Sequence, residues 1–384
     1  MNGGGNMSEV DYIPGDIIAD ILSKLPAKSV LRFKTACKTW YSLISHPMFI
    51  NLHCERAPQN PKILFSTTGS EVQILDYESS SLDDSCLSRP FNFPGESSLN
   101  YAKIVGSSRG LVCVTTDFYG DNFSIWNPLT GECRNIVADL SCQVIDSYKY
   151  AYYLHGLGYD SVADDFKLVI SIDRSTCNVF SLNANSWKRI RCIPPDAFEH
   201  RYDMHVFERR YDMHPSRPLA IILSGIFHWL LVPCTSRRSE AYVLAFDVAK
   251  ESFEKLQIPV HDPRKSTVEN LFEHKGCLCV SFSKGRSFTN KEIWMMKEYG
   301  FWVHLLTIKN SPPLNCLGSS VLCISTRDEL VYQTDRKFSR RGREEYKLDE
   351  IRMYRHVYEA VLYVETLVSP NAEDEDGLRL PIKQ

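Results

Sequence analysis

The chain is 384 residues long, room for two or three domains at about 150 residues each. Its 43% hydrophobic and 24% charged residues, with 19 Gly and 19 Pro, exclude collagen-like, low-complexity and wholly disordered classes. With 44 Lys and Arg against 47 Asp and Glu, the formal charge is −3, which argues against a dedicated duplex-DNA binder.

Met1 to Val10 hold no apolar stretch, and residues 1–10 are expected to be disordered. The 13 cysteines are odd in number and scattered. Free thiols in a reducing compartment account for them, in the cytoplasm or the nucleus. Alternation along a strand would point Cys277 and Cys279 to one face, so that pair is no zinc knuckle.

From Ile13 onward apolar residues recur at helical spacing. Ile17, Ile18, Ile21, Leu22 and Leu25 fall on one face, with Pro14 at the start and Asp16 in the first turn. Pro26 stops this helix. A second is expected over Ser29 to Thr35 and a third over Lys38 to Ser45, ended by His46-Pro47. About forty residues is near the lower limit for a self-sufficient core. The segment is therefore either a cap on the next domain or a docking module completed by another protein.

Ile13 to His53 resembles an F-box, through Pro14, Ile21-Leu22, Leu25-Pro26, Lys28-Ser29-Val30, Arg32-Phe33 and Lys38-Thr39-Trp40. The resemblance implies a partner, a Skp-type adaptor, and through it a cullin-based ubiquitin ligase. The adaptor-binding candidates are Pro14, Ile17, Leu22, Leu25, Pro26, Val30, Leu31 and Trp40. Some of these must be internal core.

Beyond Ala57 short β-rich runs alternate with turn residues, as in residues 62–65, 111–114, 168–170, 242–246 and 277–280. Residues 218–236 carry no formal charge and approach the length of a membrane helix. Gly225, His228 and Pro233 interrupt the run, and two buried strands joined at Ser224-Gly225 are expected instead of a span. A weak repeat runs through residues 125–136, 179–190, 245–256 and 292–306. Its anchors Trp126, Phe180, Phe246 and Trp294 are 54, 66 and 48 residues apart. A period of about 50 suits kelch-like propeller blades. The expected fold is thus α+β and multidomain: a small helical module, then a mostly antiparallel all-β propeller. Residues 360–364 are expected to pair with 63–65 and close the ring.

The long interval holds a duplication, Arg201-Tyr202-Asp203-Met204-His205 recurring as Arg210-Tyr211-Asp212-Met213-His214. It reads as an insertion tolerated in a surface loop. Its Tyr202, His205, Tyr211 and His214 are the candidate contacts to a protein target.

Gly110 to Cys113, Ile125 to Pro128, Gly158 to Val169 and Trp294 to Gly300 resemble plant F-box-associated domains, the last two strings those of the S-locus F-box type. In that family the domain selects the target, and for S-locus members the targets are secreted ribonucleases of the pistil. The resemblance covers about residues 11–369. The expected organisation is an F-box of three short helices over 11–56, an F-box-associated domain over 57–369, and a flexible acidic tail over 370–384.

No phosphate loop, dinucleotide fingerprint, nucleophile elbow or H-E-x-x-H occurs. His200, His205 and His214 lack a Cys or carboxylate to complete a metal site. Asp164-Asp165 and Asp203/Asp212 read as turn residues. The basic run Arg336 to Arg343 reads as a solvated loop, so no nucleic-acid partner is expected. No catalytic residue, metal or cofactor is expected. The leading reading is a non-catalytic substrate receptor of a ubiquitin ligase. Its alternatives are a kelch-like scaffold outside any ligase and a propeller enzyme with polar groups facing the channel.

Overall fold

A computed structural model describes residues 13–67, 71–93, 103–115, 122–138, 154–171, 176–190, 220–231, 241–259, 266–284, 290–309, 320–334, 336–342 and 348–371. Four helices come first: α1 (Gly15–Ser23), α2 (Ala27–Phe33), α3 (Lys38–Ser45) and α4 (Pro47–Arg56). Pro14 and Pro26 sit at the N-caps of α1 and α2, so the second helix starts two residues before its expected position. Three helices were expected. Pro47 ends α3 and also opens α4, because a proline at the first helical position gives up an N–H that has no partner there anyway.

The remaining strands form six antiparallel four-stranded sheets. Blade one opens with β1 (Lys62–Thr67), β2 (Glu71–Leu75) and β3 (Phe91–Asn92). Blade two is β4 (Lys103–Ser108), β5 (Leu111–Thr115), β6 (Asn122–Trp126) and β7 (Cys133–Val137). Blade three is β8 (Leu154–Asp160), β9 (Asp165–Ser171), β10 (Cys177–Ser181) and β11 (Ser186–Ile190). Blade four is β12 (Ile221–Leu223), β13 (Ile226–Leu231), β14 (Tyr242–Asp247) and β15 (Ser252–Gln257). Blade five is β16 (Ser266–His274), β17 (Cys277–Lys284), β18 (Asn290–Glu298) and β19 (Phe301–Ile308). Blade six is β20 (Ser320–Ile324), β21 (Leu330–Thr334), β22 (Lys337–Arg341) and β23 (Leu348–Arg352). Finally β24 (Val357–Tyr363) returns to blade one and pairs with β1, Ile63 opposite Leu362 and Phe65 opposite Ala360. The ring closes as expected. Contacts between β4 and β8, β16 and β20, and β24 and β4 place the first strand of each blade innermost, with β24 filling that role in blade one.

The sequence repeat is the outer hairpin of a blade. Each aromatic anchor ends or lies in a third strand, and a left-handed turn follows at Gly131, Asn185, Glu251 or Gly300. In blade three Phe180 pairs with Trp187 across the hairpin, and in blade four Phe246 stacks on Phe253 at 4.5 Å. Such cross-strand aromatic pairs are the unit from which a sheet gains stability. The apolar run at 220–231 is the inner hairpin of blade four, turning at Ser224 and Gly225, both with positive φ as a tight two-residue hairpin requires. No helix among the described residues is long and apolar enough to cross a membrane.

The basic run is not a solvated loop. Arg340 is only 2% exposed and Arg341 6%. Both lie on β22. The Arg340 guanidinium donates to the carbonyls of Tyr77, Ser79 and Ser80 and to Asp349 Oδ2, and Nε lies 3.0 Å from Glu329 Oε2. Asp349 in turn accepts from Leu82 N. The arginine therefore bridges blade six to the β2–β3 connection of blade one, at the seam where the ring closes. Local charge density points to solvent. The fold supplies enough acceptors to bury the guanidinium instead.

Candidate docking surfaces

Alternation of strand direction sorts the connections by face. The first-to-second and third-to-fourth turns lie on one face of the ring, and the second-to-third and interblade connections on the other. β1 begins and β24 ends on the first face, so the helices join there. One core links the two parts: Leu22, Val30, Ile44, Phe49 and Ile50 from the helices pack in a cluster with Leu111, Phe166, Leu182 and Val368.

The chain after β24 ties this junction together. We call residues 364–371 the strap. Asn127, fully buried, donates through Nδ2 to the carbonyls of Thr366 and Val368. Thr366 Oγ1 donates to Arg109 O. Gly110 has φ +83°, and a Cβ on it would stand 2.1 Å from Thr366 Oγ1, so only glycine admits the strap there. Lys28 of α2 and Lys62 of β1 both pair with Glu365, at 2.9 and 3.0 Å. Burial pushes the Glu365 carboxyl up, but the two ammonium groups outweigh it and hold the pKa below the usual carboxylate range. Pro370 is buried and Asn371 half-buried, so packed chain extends past the expected boundary at 370. The acidic cluster at 373–376 lies outside the described residues.

The eight adaptor candidates divide. Pro14, Ile17 and Pro26 are exposed, and Leu25, Leu31 and Trp40 are partly buried. Leu22 and Val30, at 3% and 0% exposure, are core side chains and offer nothing to a partner. Their positions on the helical stripe are those that face α4 and the propeller. Sequence periodicity marks a stripe without saying which protein covers it. In addition to Ile17, the apolar side chains left exposed are Ile13, Ile21, Phe33, Tyr41 and Met48. Phe33 packs edge-on against Trp40 at 5.4 Å, and Lys34 lies over Tyr41. These exposed apolar side chains are spread over all four short helices and the residue Ile13 that precedes them.

Two polar contacts hold the helices in register. Asp20 of α1 accepts from Lys24 and from Arg56 of α4, and the Lys24 hydrogen bond leads in lowering its pKa. His53 of α4 is buried, and its Nε2–H donates to Leu25 O at 2.9 Å across the α1–α2 turn. Burial pushes the His53 imidazole below its ordinary 6.5, opposed by that hydrogen bond. Burial moves His228 and His274 the same way. The folded state thus favours neutral rings, while the unfolded chain takes up protons near pH 6.5. The stability these rings contribute is present above pH 6.5 and is lost as pH falls below it. Melting followed from ~pH 7.5 to ~5.5 should decline with a slope of at most ~1.4 kcal/mol per pH unit for each ring. His53→Gln keeps an amide donor and should flatten the slope; an unchanged slope would remove His53 from this account.

On the opposite face, Ile190 ends β11 and Ala220 precedes β12. They flank the duplicated segment, whose Tyr202, His205, Tyr211 and His214 lie outside the described residues. At this end of blade five, Glu269, Ser283 and Lys291 form a buried polar chain, with Lys291 Nζ donating to Ser283 Oγ at 2.6 Å and pairing with Glu269. Asp160 and Asp164-Asp165 serve the β8–β9 hairpin. Asp160 Oδ1 accepts from Val162 N and Ala163 N, and Asp165 holds Asn183 N and Ser181 Oγ. No group of three or more metal-ligating side chains occurs among the described residues, and all nine cysteines among them are free.

A helical module with exposed apolar side chains is thus fixed to one face of a six-bladed antiparallel ring. The chain belongs to the family described as the F-box associated beta propeller domain, whose profile matches residues 62–336, and an F-box domain profile matches residues 11–52. It is similar to the F-box protein CPR1 of Arabidopsis thaliana, 28% identical over 347 residues, covering 85% of this chain and 78% of the relative. An F-box/kelch-repeat protein of the same plant is 26% identical over 381 residues, covering 94% of this chain and 96% of the relative.

Proposed function

We propose that this chain is the substrate-recognition subunit of a Skp–cullin–F-box ubiquitin ligase. The observation that carries the reading is the division of the helical module. Its core residues Leu22, Val30 and Ile44 are spent on the propeller, while Ile13, Ile17, Ile21, Phe33 and Met48 remain exposed. The exposed set supports binding of a Skp-type adaptor, together with Leu25, Pro26, Leu31 and Trp40 at its edges. The target is a protein taken on the opposite face, where the connections flanked by Ile190 and Ala220 emerge. On the S-locus resemblance, a self-incompatibility-type ribonuclease is the first target to test. No catalytic group is assigned: the ligase chemistry belongs to other subunits, and this one raises the effective concentration of target lysines near them. We place it in the cytoplasm or the nucleus, where its free thiols stay reduced.

The test is co-purification of the full chain with a Skp-type adaptor. Two aliphatic anchors at ~1.5–3 kcal/mol each predict at least a hundredfold, order-of-magnitude loss for Ile17→Asp with Ile21→Asp. Far-UV circular dichroism should stay that of the parent, because both side chains are about half exposed. An intact chain that fails to bind the adaptor would overturn the reading and leave an interaction scaffold.

A further inference from the structure

A cleft of about 210 Å³ lies where α4, the turns of blades two and three, and the strap meet. Its polar wall carries two guanidinium groups. Arg109, at the β4–β5 turn with φ +46°, stacks on the Tyr159 ring at 4.1 Å. Arg134 of β7 reaches Asn185 Oδ1 at 2.8 Å and the Pro370 carbonyl at 3.4 Å. Neither has a carboxylate within ion-pair distance among the described residues; burial lowers the Arg134 pKa, opposed by the more distant Asp165 charge. Two guanidinium groups half withdrawn from water, neither in ion-pair contact with a carboxylate, favour an anion that joins them. Ile50 of α4, Phe166, Leu182 and Val368 add apolar surface to the lining, beside the polar Asn51 and Asn183. Asp164 also lines the cleft, its carboxylate taking the Tyr159 hydroxyl. One carboxylate against two guanidiniums leaves a single positive charge for a ligand to match.

We propose that this cleft binds a compact organic monoanion, its carboxylate or phosphate between Arg109 and Arg134 and its apolar body against Ile50, Phe166 and Leu182. At about 30 Å³ per water-sized unit the volume admits roughly seven such units, the size of a small metabolite. Because the walls come from the F-box, the propeller and the strap together, an occupied cleft joins all three and stabilises their docking. This inference stands apart from adaptor binding, and either can fail alone.

The experiment is thermal melting of the full chain titrated with benzoate and, separately, inorganic phosphate, each against chloride at equal ionic strength. The expected result is a saturable rise of about 2 °C at about ten times the dissociation constant, larger for benzoate because of the apolar side chains in the lining. Arg109→Asn tolerates the left-handed backbone, and Arg134→Gln keeps a donor toward Asn185. Both variants should melt close to the parent without added anion and lose the rise. A rise that does not saturate with either probe, or that survives both substitutions, overturns the proposal.

Discussion

Replacing Arg340 by alanine is expected to cost about 3–5 kcal/mol, the loss that follows when one partner of a buried ion pair is removed. The cost arises from what is left behind. Glu329 and Asp349 would lose their cation, and the Tyr77, Ser79 and Ser80 carbonyls would lose their donor inside a closed seam. Arg340→Lys keeps the charge but puts a single ammonium where a planar fork meets five acceptors, so an intermediate loss is expected. Urea denaturation followed by tryptophan fluorescence measures both. The specific outcome is a lower midpoint in both variants, ordered alanine below lysine below parent. A lysine variant as stable as the parent would show that charge alone, and not the bridged geometry, holds blades one and six together.

A chain ending at Tyr363 should keep its ring and lose its F-box anchorage. The β1–β24 ladder is intact in such a chain, but Leu367 and Val368, at 4% and 8% exposure, leave the shared core. At ~1.5–3 kcal/mol for each buried aliphatic side chain, the junction loses about 3–6 kcal/mol. Lys28 also loses Glu365, and Asn127 loses both strap carbonyls. Limited proteolysis is the direct measurement, compared with a chain ending at Asn371. Cleavage within residues 57–61 should appear in the shorter chain only. Equal resistance in the two would mean that α4 packing alone fixes the helices to the propeller.

Local chemistry made much of this protein legible from its sequence. Pro14 marks a helix start whatever surrounds it, because a proline at that place gives up only an N–H that no helix uses, and Pro26 marks the end of the helix before it. Ser224-Gly225 between two apolar runs specifies a hairpin, since few other pairs accept two positive φ values. The recurring aromatic before a polar turn identified the outer hairpin of a blade, and the apolar 360–364 run found its partner on β1. These signals depend on residues within a few positions of one another, or on a period that repetition makes visible.

The tertiary structure decided the rest, where one residue type has two stable uses. Pro47 could end a helix or begin one, and the packing of Phe49 and Ile50 against the propeller selected a beginning. Leu22 and Ile21 are neighbours with equal hydrophobicity, yet one is 3% and the other 52% exposed, because α4 and the propeller cover only one side of α1. A run of arginines could be solvated or buried, and acceptors from residues 77–80, some 260 positions away, together with Glu329 and Asp349, buried Arg340. The sequence by itself determined three of the four helices, the closure of a strand-rich ring and the family, since those follow from local propensity, repetition and short motifs. Which apolar residues remain for a partner, and how the strap locks the F-box to one face, required contacts between distant segments that no local pattern encodes.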